Sequence, residues 1–492
     1  MRSRPLAVLQ CCENRLRVAR GHLYRRWLCT LWPVMVTMAC SRATQPPAMK
    51  IELGVPPVVF PVTVSQDRRV LNDRNGAPFL IVGDSPWELT SQLSKQDTLV
   101  YLDDRKRRGF NTILIELMTH KFTSHTPPWM NAEGEVPFED NHDFTTVRER
   151  FLEHVAWVIE RAAERGMLVL LAPAYMGYGC ADEGWCQVML ANGVSKLTRF
   201  GELVGRRFAR FDNLIWVDGG DLTPSTTGHP SQLDLVNAVV DGIKLGDGGS
   251  HLHTAHWSRQ ISSSEGPAVP WLDIDATYSG RKQLTFLDSL DDWSRDAGVR
   301  PAFLIEGKYE SEHNLKRSEL RAQMYQPLLS GSMGFLFGND PIWFFGRPGD
   351  GNPAWSFSSG EKVHWMEALG SPGAHYVGYA RQLFDSINWP ALQPDAQHRI
   401  LKSRSTGAVP EHNVSLAATP DGKLAVAYLT ARLDITVDLS RFASDVRPTW
   451  YDPTSGATIV ETQRTNSGLH TFKADRQNSE GASDWVLLLQ AL

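Results

Sequence analysis

Short apolar runs alternate with amphipathic stretches along the middle of the chain. A short run rich in β-branched, aliphatic and aromatic side chains is typical of a strand, whereas helices are longer and repeat their apolar positions every three to four residues. Eight such runs occur: Phe79–Gly83, Thr112–Leu117, Leu168–Ala172, Leu214–Val217, Leu252–His256, Trp271–Thr277, Ala302–Ile305 and Gly334–Phe337. Helical periodicity lies between most of them, at Lys95–Arg108, Val147–Arg165, Lys196–Arg210, Leu233–Leu245 and Leu315–Leu329.

The alternation of strands and helices predicts an α/β fold in which a parallel sheet has helical crossovers. Eight units between residues 79 and 337 favour a closed TIM (β/α)8 barrel over an open doubly wound sheet. Gly109 and Gly166 support this division, because glycine commonly ends a helix at its carboxyl end. No glycine-rich phosphate loop follows the first run, which argues against a dinucleotide-binding fold.

The segments on either side of the predicted barrel differ in character. Asn72–Gly76 is a turn signal between two apolar runs and predicts a hairpin before the barrel. After about residue 390, short alternating runs are separated by turn sequences such as Pro420-Asp421-Gly422, which predicts an all-β sandwich. We therefore expect a linker and capping strand at 41–63, the barrel at 64–390 and the sandwich at 391–492.

Residues 1–40 have the features of an export signal. Arg25 and Arg26 precede an apolar stretch from Trp27 to Ala39 that is too short to span a membrane. Thr37–Cys40 is an imperfect match to a bacterial lipoprotein cleavage box, so attachment to the membrane through a lipid on Cys40 is one expectation and simple release is the other. Both place the protein in the periplasm, on the outer membrane or outside the cell.

Cysteine usage agrees with export. Four of the six cysteines fall in this leader: Cys11, Cys12, Cys29 and Cys40. Cys180 and Cys186 remain, and their spacing suits a small loop disulfide, which an exported protein can retain. Two free thiols are the alternative. Two cysteines without a nearby histidine pair do not favour a zinc site.

Composition narrows the range of partners. The apolar fraction of 42% and the charged fraction of 21% are ordinary for a globular protein. A formal net charge of −5 offers no basic surface, so nucleic acid is not an expected partner. Sixteen tryptophans are many for this length. Core packing accounts for most of them, while indole faces can also stack on sugar rings. The sequence indicates neither a cofactor nor a metal.

Polar and aromatic residues follow nearly every predicted strand. In a barrel enzyme, the chemistry takes place at the carboxyl ends of the strands. The candidates at these positions are Asp84, Trp87, His120, Tyr175, Asp221, His256, Trp257, Tyr278, Glu306, Glu310 and Trp343. Glu116 also lies near the end of a run, but its parity indicates a side chain that faces a helix.

Asp221 and Glu306 differ from the other candidates because their positions fit a mechanism. Asp221 follows the fourth run and Glu306 the seventh, and these strands face each other across a barrel mouth. Two carboxyl groups across one cleft are the minimal equipment for cleaving a glycosidic bond, at about 5–5.5 Å when configuration is retained and roughly 6.5–9.5 Å when it is inverted. Glu306 would attack the anomeric carbon. Asp221 would protonate the leaving oxygen, which requires a raised pKa. The remaining candidates would line the sugar subsite.

Three motifs resemble those of a known enzyme family. GDSPW at Gly83–Trp87, WVDGGD at Trp216–Asp221 and IEGKYE at Ile305–Glu310 resemble the apiosidase-like proteins of glycoside hydrolase family 140. Trp450–Pro453, followed by Ser455-Gly456, resembles the β module named for collagen binding that accompanies those barrels. The resemblance covers residues 64–492.

The resemblance implies a TIM barrel followed by a β-sandwich, a carbohydrate substrate, and Asp221 and Glu306 as the catalytic pair of a retaining mechanism. We therefore expect hydrolysis of glycosidic bonds in polysaccharide side chains, without assigning apiose as the sugar. The family usually has Gly-Glu-Pro around the strand-seven glutamate, whereas this chain has Ile305-Glu306-Gly307. Glu310 is therefore the alternative nucleophile.

Two other functions are compatible with the sequence. Aromatic-rich loops would serve equally in a non-catalytic glycan-binding protein on a barrel scaffold. A metal-dependent hydrolase could use His120, His251, His253 and His256, since His251 and His253 lie on one face of a strand. No acidic bridge or further motif accompanies these histidines.

Overall fold

The computed structural model describes residues 57–124, 129–140, 142–280, 285–295, 298–404 and 413–492. The predicted export signal, Cys40 and the linker as far as residue 56 lie outside these residues. Within them, no helix combines the length and the apolar character needed to cross a membrane.

A small antiparallel sheet opens the described chain. Its strands are β1 (Thr63–Val64), β2 (Leu71–Asn72) and β3 (Pro78–Phe79). The turn at Asn72–Gly76 joins β2 to β3, as predicted, and Asp73 accepts the N–H of Asn75 within it. Leu71 and Phe79 pack with residues of the barrel interior, so this sheet covers the amino-terminal end of the barrel.

Eight parallel strands within the described residues form a nearly closed barrel. They are β4 (Ile81–Asp84), β5 (Thr112–Glu116), β6 (Leu168–Ala172), β7 (Leu214–Gly219), β8 (His253–His256), β9 (Asp275–Tyr278), β10 (Ala302–Glu306) and β11 (Gly334–Phe337). They pair in the order β8-β7-β6-β5-β4-β11-β10-β9. The N–H groups of Asp273 and Ile274 donate to the carbonyl of His253 at 3.0 and 3.3 Å, which links the two outer strands. Each strand overlaps one predicted run, so the predicted barrel is confirmed.

Helices connect most of the strands on the outside of the barrel. Those in the described residues are α1 (Leu89–Gln92), α2 (Lys95–Arg107), α3 (Glu149–Ala163), α4 (Cys186–Phe208), α5 (Gln232–Asp247), α6 (Thr285–Trp293), α7 (Arg317–Leu328), α8 (Trp365–Ala368) and α9 (Pro372–Asp385). Gly109 and Gly166 follow α2 and α3 with positive φ angles of 91° and 66°, as a carboxyl-terminal cap requires. After β8, a short 3₁₀ turn at Ser263–Glu265 stands where the other units have a helix.

Residues of the barrel strands alternate between two hydrophobic cores. On β5, Leu114 lies in the barrel interior, whereas Ile113 packs against the outer helices. On β7, Val217 faces the interior and Trp216 faces outward. This alternation decides which side chains at the strand ends can reach the barrel mouth.

An antiparallel β-sandwich follows the barrel, as predicted. Its strands are β12 (Gln393–Pro394), β13 (Leu401–Arg404), β14 (Val414–Ala418), β15 (Leu424–Leu429), β16 (Asp434–Asp438), β17 (Val446–Tyr451), β18 (Thr458–Val460), β19 (Leu469–Lys473) and β20 (Trp485–Ala491). One sheet has the order β12-β14-β15-β20-β17-β18 and the other β13-β16-β19. On β15, Ala425 and Ala427 pack between the sheets, while Val426 and Tyr428 pack toward the barrel helices.

A buried ion pair fixes the β domain to the barrel. Arg321 on α7 donates twice to the carboxylate of Asp484, at 2.7 Å through Nε and through Nη2, and both side chains are fully buried. The hydroxyl of Tyr428 donates to the same carboxylate at 2.9 Å. Its ring also stacks on Tyr325 of α7, with 5.0 Å between centroids. The β domain is therefore packed on the outer helices of the barrel.

Candidate active site

The loops at the carboxyl ends of the barrel strands surround a cleft with a volume of about 390 Å³. Among the described residues, none of those that line the cleft comes from the β domain. The lining includes six residues that the sequence placed in the site: Trp87, Tyr175, Asp221, Tyr278, Glu306 and Trp343. The structure thus brings both candidate catalytic acids into one cleft.

Asp221 reaches the cleft through an unusual backbone path. Gly219, Gly220 and Asp221 all have positive φ angles, of 89°, 114° and 47°. A Cβ at Gly220 would lie 2.4 Å from the ring of Tyr175, and one at Gly219 would lie 2.7 Å from the ring of Trp257. Both the backbone conformation and the close approach of the rings therefore require glycine. The two glycines turn the chain so that Asp221 lines the cleft.

The environment of Asp221 favours its protonated form. Its carboxyl group is buried, and its Oδ1 has no hydrogen-bond partner among the described residues. Oδ2 lies 3.5 Å from Nη2 of Arg259. Burial raises the pKa of Asp221 to about 6, and the charge of Glu306 acts in the same direction, whereas Arg259 opposes it. A carboxyl group with this pKa is suited to donate a proton near neutral pH.

Glu306 faces the cleft because β10 contains a bulge. Phe303 points into the barrel and Leu304 points outward, so regular alternation would turn Glu306 outward as well. The register shifts between Leu304 and Glu306, and Ile305 and Glu306 together lie opposite Tyr278. The extra residue re-aims the side chain of Glu306 toward the barrel mouth.

His256 connects the two acids. Its Nδ1 accepts the main-chain N–H of Asp221 at 2.9 Å. Because that nitrogen accepts, the ring proton lies on Nε2, which donates to Oε2 of Glu306 at 2.8 Å. The imidazole is buried and stacks on Tyr278, with 4.7 Å between ring centroids. His256 was predicted to line the sugar subsite. The structure instead places it beneath the cleft surface, where it holds Glu306 against the turn that carries Asp221.

Aromatic side chains form much of the cleft wall. The ring of Trp87 contacts those of Tyr175 and His256 edge-on, at centroid distances of 5.4 and 5.3 Å. Its indole N–H donates to the hydroxyl of Tyr309 at 2.8 Å. Trp343 lines the cleft from the loop after β11. Such rings offer apolar faces on which a sugar ring can pack.

A disulfide-closed loop contributes to the cleft. Cys180 and Cys186 are bonded, with their Cα atoms 5.1 Å apart. This loop, between β6 and α4, brings Tyr178 and Glu183 to the cleft wall. The guanidinium of Arg259 lies 5.1 Å from the centroid of the Tyr178 ring, so the loop also contacts the cation beside Asp221. Sequence reasoning missed Arg259, which no motif marks.

Glu88 and Glu116 also line the cleft, and the sequence selected neither. The interpretation of Glu116 as a residue facing a helix was wrong. It has the parity of Leu114, which lies in the barrel interior, so its side chain points into the barrel mouth. Glu88 lies one position beyond the GDSPW motif, so the motif does not mark it as a cleft residue.

Asp84 does not reach the cleft, in contrast to its predicted role in the sugar subsite. It has the parity of Val82, which packs toward the outer helices. Its fully buried carboxylate pairs with Nε of Arg105 at 2.5 Å and accepts the hydroxyl of Tyr101 at 2.7 Å. Asp84 therefore joins β4 to α2.

Trp257 and His120 are likewise not part of the cleft lining. Trp257 is fully buried, and its indole N–H donates to the carbonyl of Ser263 at 3.0 Å. Its ring supports the glycine turn from below. His120 lies 3.0 Å from the carbonyl of Asp182 through Nδ1 and contacts the ring of Trp185 edge-on at 4.7 Å. Both side chains thus brace loops around the cleft.

Glu310, the alternative nucleophile, is turned away from the cleft. Its carboxylate accepts the N–H of Gly373 at 2.9 Å and the side-chain amide of Asn339 at 3.0 Å. These bonds tie the loop after β10 to α9 and to the loop after β11. Glu306, at the end of β10, is therefore the acid that faces Asp221.

The four histidines considered for a metal site have separate partners. His251 lies 2.8 Å from Asp247, and His253 lies 2.8 Å from Asp218. Both carboxylates belong to the barrel wall rather than to the cleft. In the part of the chain that the structure describes, no group of three or more His, Cys, Asp or Glu side chains could hold a metal ion.

The barrel and its acid-lined cleft agree with a comparison to protein families. Residues 65–391 match the family described as apiosidase-like, catalytic domain. The chain belongs to the apiosidase-like family. It is a glycoside hydrolase, and its substrate class is carbohydrate. Residues 402–490 match a second family, described as "Putative collagen-binding domain of a collagenase".

Solved structures share this fold over most of the apiosidase-like chain. A glycoside hydrolase is 22% identical, with 87% of this chain and 96% of that chain covered and a TM-score of 0.73. A glycoside hydrolase family 5 protein from Bacteroides vulgatus is 20% identical, with 87% and 93% covered and a TM-score of 0.74. At these identities the likeness shows the fold, here the barrel and the β domain together. Among curated proteins, no relative with significant sequence similarity was found.

Proposed function

We propose that the protein is an exported, retaining glycoside hydrolase that cleaves glycosidic bonds in polysaccharide side chains, with Glu306 as nucleophile and Asp221 as acid/base. The observation that carries this proposal is the link through His256. One imidazole ring holds the carboxylate of Glu306 and the main chain of Asp221, so the two acids serve the same cleft.

In the first step, the carboxylate of Glu306 attacks the anomeric carbon while the bond to the leaving oxygen breaks. Asp221 gives its proton to that oxygen, and burial supports this role because it keeps the proton on the carboxyl group at higher pH. Arg259 stabilises the carboxylate that Asp221 becomes, since its guanidinium lies 3.5 Å from Oδ2.

In the second step, the carboxylate of Asp221 takes a proton from water. The resulting hydroxide attacks the anomeric carbon, and Glu306 leaves as the carboxylate. Two displacements at one carbon return the original configuration. The hydrogen bond from His256 steadies Glu306 in both steps, and the Tyr278 ring stacked on His256 fixes the imidazole.

Hydrolysis of a glycan panel tests this proposal. Wild-type protein, Asp221→Asn and Glu306→Gln are incubated with aryl glycosides and with digests of plant and bacterial polysaccharides, and products are followed by anomer-resolved NMR. Glu153→Gln, a solvent-facing substitution on α3, is the matched control. We expect release of sugar with retained configuration by the wild type and the control alone. Unchanged hydrolysis by both site variants, an inverted product, or binding without release would overturn the proposal.

Export is the second part of the proposal, and it rests on the leader sequence with Cys40. Fractionation of the source cell tests it. A lipid on Cys40 predicts recovery in the membrane fraction with a covalent fatty-acid label, and loss of that label in Cys40→Ala. Recovery of the wild type in the cytoplasm with its leader uncleaved would contradict export.

A further inference from the structure

Two acids of the cleft have no part in the two-step reaction. Glu88 lies just beyond β4, and Glu116 is the last residue of β5. Both line the cleft, although their exposed fractions are only 1% and 5%. Burial of two neighbouring carboxyl groups costs free energy unless partners compensate for it. Their presence in the barrel mouth therefore calls for a partner.

The protein supplies such a partner to Glu88 but not to Glu116. The carboxyl group of Glu88 accepts the hydroxyl of Thr119. The carboxyl group of Glu116 makes no hydrogen bond to any residue that the structure describes, and the charged group that acts on it is Glu88. An unpaired polar side chain that is more than nine-tenths buried and opens into a cleft indicates hydrogen-bond donors from a ligand.

The main chain ties each acid to a tryptophan of the cleft wall. The N–H of Glu116 donates to the carbonyl of Trp87 at 2.9 Å, and that of Glu88 donates to the carbonyl of Trp343 at 3.1 Å. The two carboxyl groups are thus held beside the aromatic surfaces on which a sugar ring can pack. Hydroxyl-binding acids next to such faces make up the two halves of a sugar subsite.

The order of the strands separates this pair from the reacting groups. In the sheet order, β4 and β5 lie at the centre, whereas Asp221 follows β7 and Glu306 ends β10, each two strands away from that centre. The outermost strands, β8 and β9, carry His256 and Tyr278. In a closed barrel, the centre of that order lies across the mouth from its ends. A sugar between the two sides would present its anomeric carbon to Glu306 and its remaining hydroxyls to Glu88 and Glu116.

We propose that Glu88 and Glu116 form a hydroxyl clamp that binds two neighbouring hydroxyl groups of the sugar whose bond is cleaved. The clamp rests on the proposed function, because it needs a sugar at Glu306. Its chemistry selects an uncharged sugar with a vicinal diol. A uronic acid would bury a third carboxyl group beside the pair, where burial already disfavours the ionised form of a carboxyl group, and is therefore expected to bind poorly.

Kinetics of Glu→Gln variants on a sugar substrate test the clamp. The substrates are 4-nitrophenyl glycosides of neutral pentoses and hexoses, the matching glucuronide and galacturonide, and polysaccharide digests. For the neutral substrate that the wild type cleaves best, Glu116→Gln is expected to raise KM at least tenfold and to change kcat less than threefold. Glu88→Gln is expected to act in the same direction, and Glu153→Gln to match the wild type.

Thermal unfolding separates a binding role from a structural one. A ligand clamp predicts that Glu116→Gln unfolds at the same or a higher temperature than the wild type, because an unpaired buried acid is removed. A monodeoxy analogue of the substrate is expected to lose affinity for the wild type but not for Glu116→Gln.

The outcomes distinguish failure of the clamp from failure of the proposed function. If the wild type is active and both Gln variants have an unchanged KM, the clamp is overturned and the proposed hydrolase function stands. A lower unfolding temperature of the variants with an unchanged KM leads to the same conclusion. Preferred cleavage of a uronide also overturns the clamp. A wild type that neither cleaves nor binds any member of the panel overturns the proposed function, and the clamp with it.

Discussion

Nε2 of His256 lies 2.8 Å from Oε2 of Glu306, and the opposite ring nitrogen accepts the main-chain N–H of Asp221. The tautomer follows from these two bonds, because a nitrogen that accepts an N–H carries no proton itself. One neutral imidazole therefore sets the position of the proposed nucleophile relative to the turn that carries the proposed acid.

Removal of this imidazole is expected to slow the reaction. His256→Ala should lower kcat/KM about 10–100-fold, because a hydrogen bond to a charged group contributes about 1.5–3 kcal/mol. His256→Gln retains an N–H donor and should recover part of the loss. Steady-state kinetics with circular dichroism as a fold control measure this effect. Equal rates for wild type and a folded His256→Ala would show that the bond does not support catalysis.

The raised pKa of Asp221 predicts the alkaline limb of the pH profile. Burial raises this pKa to about 6, so the protonated form predominates below that pH and is lost above it. The acid is needed to protonate a poor leaving group, and kcat/KM on such a substrate should therefore fall as the pH rises above about 6. Asp221→Asn should abolish this limb. A wild-type rate that stays constant from pH 6 to pH 9 would not fit the role.

Replacement of Glu88 by glutamine is expected to stabilise the folded protein by an amount that depends on pH. Burial raises its pKa from 4.5 to about 8, so its neutral form favours the folded state. That stability is present below pH 4.5 and is lost as the pH rises through about 8. Glutamine does not ionise, and Glu88→Gln should therefore exceed the wild type in Tm by more at pH 8 than at pH 5. Differential scanning fluorimetry at the two pH values measures this effect, with Glu153→Gln as control. A difference in Tm between Glu88→Gln and the wild type that is the same at both pH values would contradict the prediction.

The ion pair between Arg321 and Asp484 predicts a large loss of stability on truncation. Asp484→Ala leaves the buried guanidinium without its carboxylate, which costs about 3–5 kcal/mol. The exposed pair Arg74–Asp212, with side chains 55% and 57% exposed, is the matched control, and Asp212→Ala should cost at most about 1 kcal/mol. Urea unfolding compares the two. Similar losses for both variants would contradict the anchoring role of Asp484.

The barrel could be predicted from the sequence because each strand and helix has its own local periodicity. Asp221 was also predictable, since the two glycines before it lie at the exit of an apolar run. Two of the errors concern strand alternation. Asp84 was expected in the cleft but points to the outer helices, and Glu116 was expected to face a helix but points into the barrel mouth.

Other parts of the site depend on contacts between distant segments. Glu306 faces the cleft only because a bulge in β10 reverses the regular alternation, and nothing in its own run announces that bulge. Arg259 reaches Asp221 from a loop without a motif. The sequence alone leaves Glu310 as an alternative nucleophile, whereas its bonds to Gly373 and Asn339 hold its carboxylate away from the cleft.

Chemical rescue with azide tests the assignment of the two acids most directly. Glu306→Ala and Asp221→Ala are each supplied with azide and an activated glycoside that the wild type cleaves, and the configuration of the glycosyl azide is read by NMR. We expect a glycosyl azide of inverted configuration from Glu306→Ala, where azide replaces the nucleophile, and one of retained configuration from Asp221→Ala, where azide intercepts the glycosyl enzyme. The same configuration from both variants, or rescue of Glu310→Ala in place of Glu306→Ala, would contradict it.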